Sequence, residues 1–547
     1  MNFENKVVYQ IYPKSFYDSD GDGVGDLQGI IDKLDYFEYL GVDYLWITPF
    51  FVSPQRDNGY DVEDYRAIDP RFGTMEILEK LIQEAKKRNI DIMLDMVFNH
   101  TSTRHAWFRK AIANDKKYQD YYIFHQGKED GSAPTNWVSK FGGNAWEYVK
   151  GLDSYYLHLF DKTQADLNWD NPAVRDEICD IINFWKEKGV YGFRFDVINL
   201  VSKPETFEDD FEGDGRRFYT DGRNIHKYLK EINQRTFGND ERIITVGEMS
   251  STSLDNCVKY AGKNDHELSM VFNFHHLKVD YKDKQKWALK SFDFEELKDL
   301  FNTWQLGMQK QDAWNALFWC NHDQPRAVSR FGDDQQYPKE SAKMLATAIH
   351  CMRGTPYIYQ GEEIGMTNAY FTDIKQYRDV ESINYFNILK QEGLSEEKIV
   401  HVLQERSRDN GRTPMQWDDS LHAGFTSGTP WIQEIFNYRE INVKNSMNDE
   451  ASVLNHYRNL IKLRKEVDVI AYGDFTPLIE DHTHVFAYKR TYLNEELLVV
   501  NNFYGEKTTV ELEEDVYTCL LSNYPTRSYH KTMELQPYES IVFYKKK

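Results

Sequence analysis

Eight short apolar runs, rich in β-branched and aromatic residues, alternate along the chain with stretches of helical spacing. The runs are VVYQIY (7–12), DYLWITPF (43–50), IDIMLDMVF (90–98), VYGFRFDVI (190–198), IITVGEM (243–249), SMVFNF (269–274), ALFWCNH (316–322) and TPYIYQG (355–361). The helical patterns include DLQGIIDKLDYFEYLG (26–41), TMEILEKLIQEAKKRN (74–89) and PAVRDEICDIINFWKEKG (172–189). Strands that alternate with helices form parallel sheets joined by crossover helices. The sequence therefore predicts an α/β fold, a (β/α)8 barrel with insertions.

Two stretches depart from this alternation. Residues 101–171 are rich in Asn, Gly, Trp and Tyr and have weak periodicity, which indicates a subdomain inserted after strand three. From residue 475, alternating runs such as HVFAYKRTY and SIVFYKK are typical of antiparallel strands and predict a C-terminal β-sandwich domain over 475–547. The 547 residues are too many for one ordinary core. We therefore expect the catalytic barrel to comprise residues 1–100 and 172–474.

The charge balance limits the partners of the chain. Acidic residues outnumber basic ones by 88 to 66, which gives a formal net charge of −22 and a surface that repels nucleic acid and anionic membranes. No run of about 18 apolar residues predicts a membrane span, and the first residues do not resemble a signal peptide. The five cysteines are scattered, as in reduced cytoplasmic proteins. We expect a cytoplasmic protein with no nucleic acid, membrane or obligate protein partner.

The run GFRFDVINL (192–200) contains charges that an apolar strand normally excludes. Arg194 and Asp196 are two residues apart, so a strand would place both on one face, where they are costly unless paired or used. Polar residues also end other predicted strands, and active residues of such barrels lie at these carboxyl ends. They are Asp95, Asn99 and His100 after strand three, Glu248 after strand five, and Asn321, His322 and Asp323 after strand seven. The sequence therefore predicts a site of three or more carboxylates, an arginine and two histidines.

The ordered motifs DMVFNH, GFRFDVIN, VGEM and NHDQPR resemble the four signature motifs of the α-amylase family of glycoside hydrolases. QADLNW (164–169) resembles the additional motif in the inserted domain of that family, and SRDNGRTPMQW (407–417) is similar to its oligo-1,6-glucosidase branch. The resemblance extends over nearly the whole chain. It implies a retaining glycosidase, which needs two carboxyl groups roughly 5–5.5 Å apart.

The resemblance also implies roles for individual residues. Asp196 is expected to be the nucleophile, with Arg194 as its neutralising and orienting partner, and Glu248 the general acid/base. Glu248 must carry a proton to act on the leaving oxygen, so we expect its surroundings to raise its pKa. Asp323 is expected to stabilise the transition state. The hydroxyls of the first glucose are expected to contact five further residues: Tyr60, Asp61, His100, His322 and Arg408.

The loop DSDGDGVGD (18–26) carries acids at alternate positions. Asp18, Asp20, Asp22 and Asp26 are at positions 1, 3, 5 and 9, and Val24 would offer its backbone oxygen at position 7. Oxygen ligands in this pattern suit calcium, although the loop is not an EF-hand because Gly29 replaces the acid at position 12. A related loop binds calcium in the oligo-1,6-glucosidase-like branch. We expect structural calcium and no organic cofactor, the alternative being a solvated acidic turn.

Two sequence features bear on which substrate the enzyme uses. Val197 follows the nucleophile, as in relatives that act on α-1,6 or α,α-1,1 bonds more than on α-1,4 bonds. The segment FNFHHLKVDYKDKQKW (272–287) is basic where related glucosidases carry an acid at position 275. We expect it to hold the phosphate of an anionic leaving sugar through Lys278 and Lys286, and less directly through His275 and Lys284. A solvated lysine-rich loop is the alternative.

Whole phrases, including FHHLKVDY and WNALFWCNHDQPR, resemble the members of the family that hydrolyse trehalose 6-phosphate. The expected substrate is thus a small sugar phosphate. An oligo-1,6-glucosidase that acts on isomaltose is the nearest alternative. A glucosyl-transferring isomerase and a non-catalytic barrel that accompanies a transporter are two others, and the second requires a membrane anchor that the sequence does not show.

Overall fold

The computed structural model of the protein describes residues 3–547. All eight predicted strands are present, and each is shorter than its apolar run. They are β1 (Val8–Ile11), β2 (Tyr44–Ile47), β3 (Asp91–Met96), β4 (Gly192–Phe195), β5 (Ile244–Glu248), β6 (Met270–Phe272), β7 (Ala316–Leu317) and β8 (Thr355–Tyr359). One sheet contains them in the order β6-β5-β4-β3-β2-β1-β8-β7, which is the chain order taken cyclically. This order confirms the predicted (β/α)8 class.

Helices connect successive strands, as the periodicity predicts. The longer ones are Met75–Lys87, Pro172–Glu187, Ile225–Arg235, Leu254–Ala261, Phe294–Lys310 and Pro338–His350. Three further helices, Val380–Gln391, Glu396–Arg406 and Val453–Glu466, follow β8. The predicted helix over 26–41 is two helices, Leu27–Asp32 and Leu34–Leu40, because Lys33 between them is not helical. Asp26 caps the first of these helices by accepting from the Gly29 N–H. Within residues 3–547, no helix is long and apolar enough to cross a membrane.

The chain divides into two compact units. The first comprises Trp46–Gln83 and Asp91–Phe274, and the second comprises residues 3–45, Glu84–Ile90 and His275–Lys547. These units divide the chain at other positions than the predicted domain boundaries, which stay a prediction.

The first unit contains β3–β6 and the irregular region that follows β3. Parallel ladders join β3 to β4, β4 to β5 and β5 to β6. In the irregular region, strand His100–Ser102 pairs antiparallel with Gln164–Asp166, and a small antiparallel sheet is formed by Phe124–His125, Trp146–Val149 and Ser154–Leu157. Trp146 of this sheet belongs to a buried hydrophobic cluster that also contains Trp137, Leu157 and Tyr219. The polar residues after β3, β4 and β5 therefore emerge at one edge of a parallel sheet.

The second unit ends in the predicted antiparallel β-sandwich. Its five-stranded sheet is formed by Asp474–Leu478, Val485–Tyr492, Glu495–Asn502, Ser540–Lys546 and Thr518–Ser522, in that order. A two-stranded sheet, Thr508–Glu511 with Thr532–Leu535, packs against it. Val485, Val500 and Phe543 from the first sheet and Val510 and Leu535 from the second form one buried core.

Candidate active site

Arg194 gathers three carboxylates at the carboxyl ends of β3, β4 and β5. Its Nη1 lies 2.6 Å from Asp95 Oδ1 and 2.6 Å from Asp196 Oδ1, and its Nη2 is paired with Glu248 Oε2. The register explains this grouping, since Arg194 lies directly opposite Asp95 in the ladder between β3 and β4. The Arg194 side chain is 2% exposed. A buried arginine is tolerated here because its charge is more than matched.

Asp95 also belongs to this cluster. The sequence predicts that it ends a strand but predicts no role for it. Its second oxygen accepts hydrogen bonds from Trp46 Nε1 at 3.1 Å and from the Tyr60 hydroxyl at 2.9 Å. Burial, together with the Asp196 charge, raises the pKa of Asp95 to about 6, although Arg194 opposes this shift. Burial would lower the pKa of Arg194, but Asp95 and Asp196 raise it, so the guanidinium stays charged. One cation and three acids leave an excess of negative charge, which favours uptake of a proton by the cluster.

The residue after Asp196 is held in an unusual backbone conformation. Val197 has φ 36° in the left-handed region, which costs a β-branched residue on the order of 1–3 kcal/mol. Its carbonyl accepts the N–H of Leu200, and the Asp196 N–H donates to the Met96 carbonyl at 3.0 Å. The backbone around Asp196 is thus turned sharply at the end of β4.

Three of the residues predicted to contact the first glucose, Tyr60, Asp61 and His100, lie in the first unit and make buried hydrogen bonds there. Asp61 accepts from Ser53 Oγ and from the N–H groups of Arg56 and Asp57, and burial raises its pKa. His100 Nε2 lies 3.1 Å from the Tyr60 carbonyl. Burial lowers the pKa of His100, which fits a neutral ring that donates through Nε2.

A buried lysine fixes the end of β3 to the inserted region. Lys203 Nζ lies 2.8 Å from Asp166 Oδ2 and donates to Asn99 Oδ1 at 2.8 Å and to the Leu200 carbonyl at 2.6 Å. Burial lowers the pKa of Lys203, opposed by Asp166. The ammonium is surrounded by oxygens of three separate segments. This lysine could not be predicted, because it belongs to none of the sequence motifs.

In the second unit, arginines surround Asp323. Arg412 Nη2 lies 2.6 Å from Asp323 Oδ1, Arg408 Nη1 lies 3.3 Å from the same oxygen, and His322 Nε2 lies 3.5 Å from Oδ2. Burial opposes ionisation of Asp323, but His322, Arg408 and Arg412 hold its pKa well below the usual range. The other ring nitrogen of His322, Nδ1, lies 2.8 Å from Gln10 Nε2.

Two further acids extend this network. Asp379 Oδ1 pairs with Arg408 Nη2 at 2.7 Å, and Arg412 Nη1 lies 3.5 Å away. Glu381 Oε2 lies 3.5 Å from Arg408 Nε and 2.6 Å from Lys286 Nζ. Three cations and three carboxylates are therefore joined in one chain of contacts, which links the predicted Lys286 to the predicted Arg408.

The other members of the basic segment have different surroundings. His275 packs against the Trp304 ring, with centroids 5.0 Å apart. Lys278 and Lys284 are exposed, and Lys284 has φ 61°. Among the four residues predicted to bind phosphate, Lys286 contacts Glu381, which joins it to the arginine network.

The acidic loop brings together three of its four aspartates. Carboxylate oxygens of Asp18, Asp20 and Asp22 lie within 4.8 Å of one another, a hard-oxygen set that fits calcium. The Asp18 carboxylate accepts hydrogen bonds from the N–H groups of Gly21 and Gly23, both at 2.8 Å. Gly23 has φ 94°, and a Cβ there would lie 2.0 Å from the Thr429 carbonyl, so the turn requires glycine.

Asp26 lies outside this group of three. Its oxygens accept from the N–H groups of Ser19 at 2.8 Å and Gly29 at 2.7 Å, so it caps the following helix. The Val24 N–H donates to Asp22 Oδ1 at 2.8 Å. Asp18, Asp20 and Asp22 could therefore hold calcium together with backbone oxygens of the loop, and the role of Asp26 as a ligand stays a prediction.

Comparison with known proteins agrees with this geometry. The family model described as alpha amylase, catalytic domain, matches residues 10–473, and that of the alpha-amylase SusG C-terminal domain matches residues 485–542. The chain is 54% identical to a trehalose-6-phosphate hydrolase of Bacillus subtilis over 99% of this chain and 98% of that protein. It is 46% identical to an oligo-1,6-glucosidase of Halalkalibacterium halodurans over 99% and 98% of the two chains.

A solved structure extends the likeness to three dimensions. The crystal structure of Bacillus licheniformis trehalose-6-phosphate hydrolase superposes with a TM-score of 0.96 at 52% identity and covers 100% of both chains. The predicted resemblance is thereby confirmed at the level of the whole chain. This chain belongs to the α-amylase family and is a glycoside hydrolase.

Proposed function

We propose that this enzyme hydrolyses trehalose 6-phosphate to glucose and glucose 6-phosphate with retention of configuration. The observation that carries the proposal is 54% identity, over 99% of the chain, to a protein named for this reaction. The cluster of Asp196, Glu248 and Arg194 supplies the two carboxyl groups that a retaining mechanism needs.

The reaction proceeds in two displacements. An oxygen of Asp196 attacks C1 of the unphosphorylated glucose while Glu248 protonates the glycosidic oxygen, so that glucose 6-phosphate leaves with the proton. Glu248 then removes a proton from water, which attacks C1 and releases Asp196. The excess negative charge around Arg194 favours the proton that the first step consumes. Arg194 orients Asp196 through their 2.6 Å contact.

Asp323 is assigned to the transition state. The family motif suggests that it holds sugar hydroxyls as positive charge develops at C1. Its contacts with Arg412 and Arg408 support the assignment, because they keep the carboxylate ionised despite burial. A carboxylate that stays negative can stabilise an oxocarbenium-like transition state.

The leaving glucose 6-phosphate is anionic, whereas the chain carries a net charge of −22. A local cationic group is therefore needed, and Lys286 and Lys278 are our main candidates, with His275 and Lys284 next. Lys286 is paired with Glu381, so phosphate would share this ammonium with a carboxylate. We expect it to be a positioned charge rather than a flexible one.

We also infer a structural calcium ion at Asp18, Asp20 and Asp22, with the Val24 carbonyl as a further ligand. The convergence of three carboxylates supports it. When bound, calcium would neutralise these acids. Asp26, which caps the helix that follows the loop, stays the fourth predicted carboxylate ligand.

The proposal is tested by comparing turnover of trehalose 6-phosphate, trehalose and isomaltose by wild type, Lys286→Ala and Lys278→Ala. A lost charge-assisted hydrogen bond of roughly 1.5–3 kcal/mol should cost about 10–100-fold in kcat/KM for the phosphorylated sugar. Isomaltose should be affected far less. Lys398→Ala removes an exposed lysine of helix Glu396–Arg406 and is the matched control.

The alternative is an oligo-1,6-glucosidase, which the 46% identity to such an enzyme supports. Val197 fits both activities. A wild type that prefers isomaltose would establish this alternative. A wild type that prefers the phosphate ester, with both variants retaining that preference, would support the function and refute the choice of lysines.

A further inference from the structure

Asn199 connects the segment after the nucleophile to the segment after the acid/base. Its Nδ2 donates to the Ser250 carbonyl at 2.9 Å, and its Oδ1 accepts the Ser250 N–H at 2.9 Å. Asn199 is fully buried, three residues after Asp196, whereas Ser250 is two residues after Glu248. One side-chain amide therefore satisfies both backbone groups of a residue on the neighbouring strand end.

This pair continues the sheet beyond the point where the strands separate. The last ladder partners of β4 and β5 are Phe195 and Gly247. Asp196 and Glu248 each follow one of these partners directly. Asp196 and Glu248 thus lie between the last backbone ladder pair and the Asn199–Ser250 pair. In the latter pair, the Asn199 side chain supplies the donor and the acceptor that a neighbouring backbone would supply in a ladder.

The orientation of the Asn199 amide is also determined. Its second Nδ2 hydrogen donates to Asp221 Oδ1 at 3.1 Å. Rotating the amide by 180° would place Oδ1 against that carboxylate and Nδ2 against the Ser250 N–H, so that both contacts would become repulsive. Asp221 is itself held by donors from the segment and helix after Glu248: Thr252 Oγ1, Asn256 Nδ2 and the Tyr260 hydroxyl.

The two segments depend unequally on this amide. The segment after Asp196 keeps backbone contacts of its own, since the Asp196 N–H donates to Met96 and the Asp221 N–H donates to the Asn199 carbonyl. Ser250 would lose the partners of both its backbone groups if the amide were removed. Lys140 Nζ, which donates to Ser250 Oγ at 3.1 Å, holds the side chain and not the backbone.

We propose that Asn199 is a positioning residue that holds the Glu248 segment in register with the nucleophile, so that the acid/base reaches the glycosidic oxygen. The inference rests on the roles proposed for Asp196 and Glu248. Asn199 itself is not proposed to contact the substrate.

The test is the dependence of the loss on the leaving group. Asn199→Ala should lower kcat/KM about 10²-fold for trehalose 6-phosphate, because a sugar leaves only after protonation and a misplaced acid costs a factor of this size. The kcat/KM for α-glucosyl fluoride, whose leaving group departs without a proton from Glu248, should fall by about fivefold or less, because kcat/KM reports the first displacement. KM for trehalose 6-phosphate should change little.

Asn233→Ala is the matched control. It removes another amide of the same unit that donates to a backbone carbonyl, that of Glu267 at 3.0 Å, and it should reduce both activities equally and slightly. Asp221→Asn removes the constraint on the orientation of the Asn199 amide. It should also lower kcat/KM more for trehalose 6-phosphate than for the fluoride, with a smaller difference, and it replaces Asn199→Ala if that variant does not fold. Equal losses on both substrates in the variants would overturn the proposal.

A failed proposed function would be recognised separately. If wild type rejects trehalose 6-phosphate and hydrolyses isomaltose, the comparison is repeated with isomaltose, whose leaving sugar also needs protonation. A split between isomaltose and the fluoride would then support the role of Asn199 although the substrate proposal had failed.

Discussion

Glu362, directly after β8, is a buried acid whose titration should be visible in the stability of the enzyme. Its Oε1 accepts from the Tyr457 hydroxyl at 2.7 Å, whereas Oε2 has no hydrogen-bond partner among residues 3–547. Burial and the adjacent Glu363 raise the pKa of Glu362 to about 8, although Tyr457 and Arg326 oppose the shift. The carboxyl group lines a small cavity together with Cys320 and Arg326. Below about pH 8 we therefore expect it to carry a proton.

The size of the effect follows from the two pKa values. In an unfolded chain a glutamate has a pKa of about 4.3, so between roughly pH 4.3 and 8 the native state keeps a proton that the unfolded state has released. The free energy of unfolding must then fall as the pH rises through this window. At 1.36 kcal/mol per pH unit, the full loss is roughly 5 kcal/mol, complete above about pH 8. Glu362→Gln is neutral throughout and should lack this loss.

The assay is the melting temperature of wild type and Glu362→Gln at pH 5.0, 6.5 and 8.5. The variant should gain stability relative to wild type at each step toward higher pH. Glu397→Gln makes the same change on an exposed side chain, and its difference from wild type should stay nearly constant. A constant difference for Glu362→Gln would refute the reasoning, because it would mean that this carboxyl is ionised in the native state at all three pH values.

Three other outcomes are expected. Asp196→Asn should lose at least about 10³ in rate, and wild type should release α-glucose first; initial β-glucose would exclude retention. A calcium chelator should lower the melting temperature and Asp22→Ala should reproduce most of that loss, whereas Asp26→Ala should lower it with or without chelator because it removes a helix cap. Lys203→Met should cost about 3–5 kcal/mol by leaving Asp166 unpaired, and adding Asp166→Asn should recover part of this loss in calorimetry.

The barrel could be predicted because buried parallel strands are apolar on both faces and therefore stand out as runs between helical patterns. The residues at which the strands end could not be predicted, because the apolar runs continue into loops that are also buried. The run 316–322 illustrates this limit: the ladder covers only Ala316–Leu317, and farther along the Asp323 N–H donates to Asn321 Oδ1 in a turn. The break at Lys33 was equally hidden, because the residues on both sides keep helical spacing.

The candidate site was predictable where motifs end strands, and much less so where residues distant in the chain meet. Asp196, Glu248 and Asp323 have local signatures in the sequence. The contacts of Lys203 with Asp166 and of Asn199 with Ser250 join residues 37 and 51 positions apart, and no local pattern marks them. Asp26 fits the spacing of a calcium ligand as well as that of a helix cap, and the sequence alone did not show that it caps a helix.

The two carboxylate clusters differ in their ratio of cations to acids, and this ratio suits the roles proposed for them. In the first unit, a single guanidinium contacts Asp95, Asp196 and Glu248, so negative charge is in excess, which favours binding of a proton by the cluster. In the second unit, Arg408, Arg412 and Lys286 match Asp323, Asp379 and Glu381 one for one, and Asp323 stays ionised. Acid catalysis needs a carboxyl group that keeps a proton, whereas stabilising an oxocarbenium-like ion needs one that does not. The ratio of buried cations to acids therefore supports the different tasks that we propose for the two clusters.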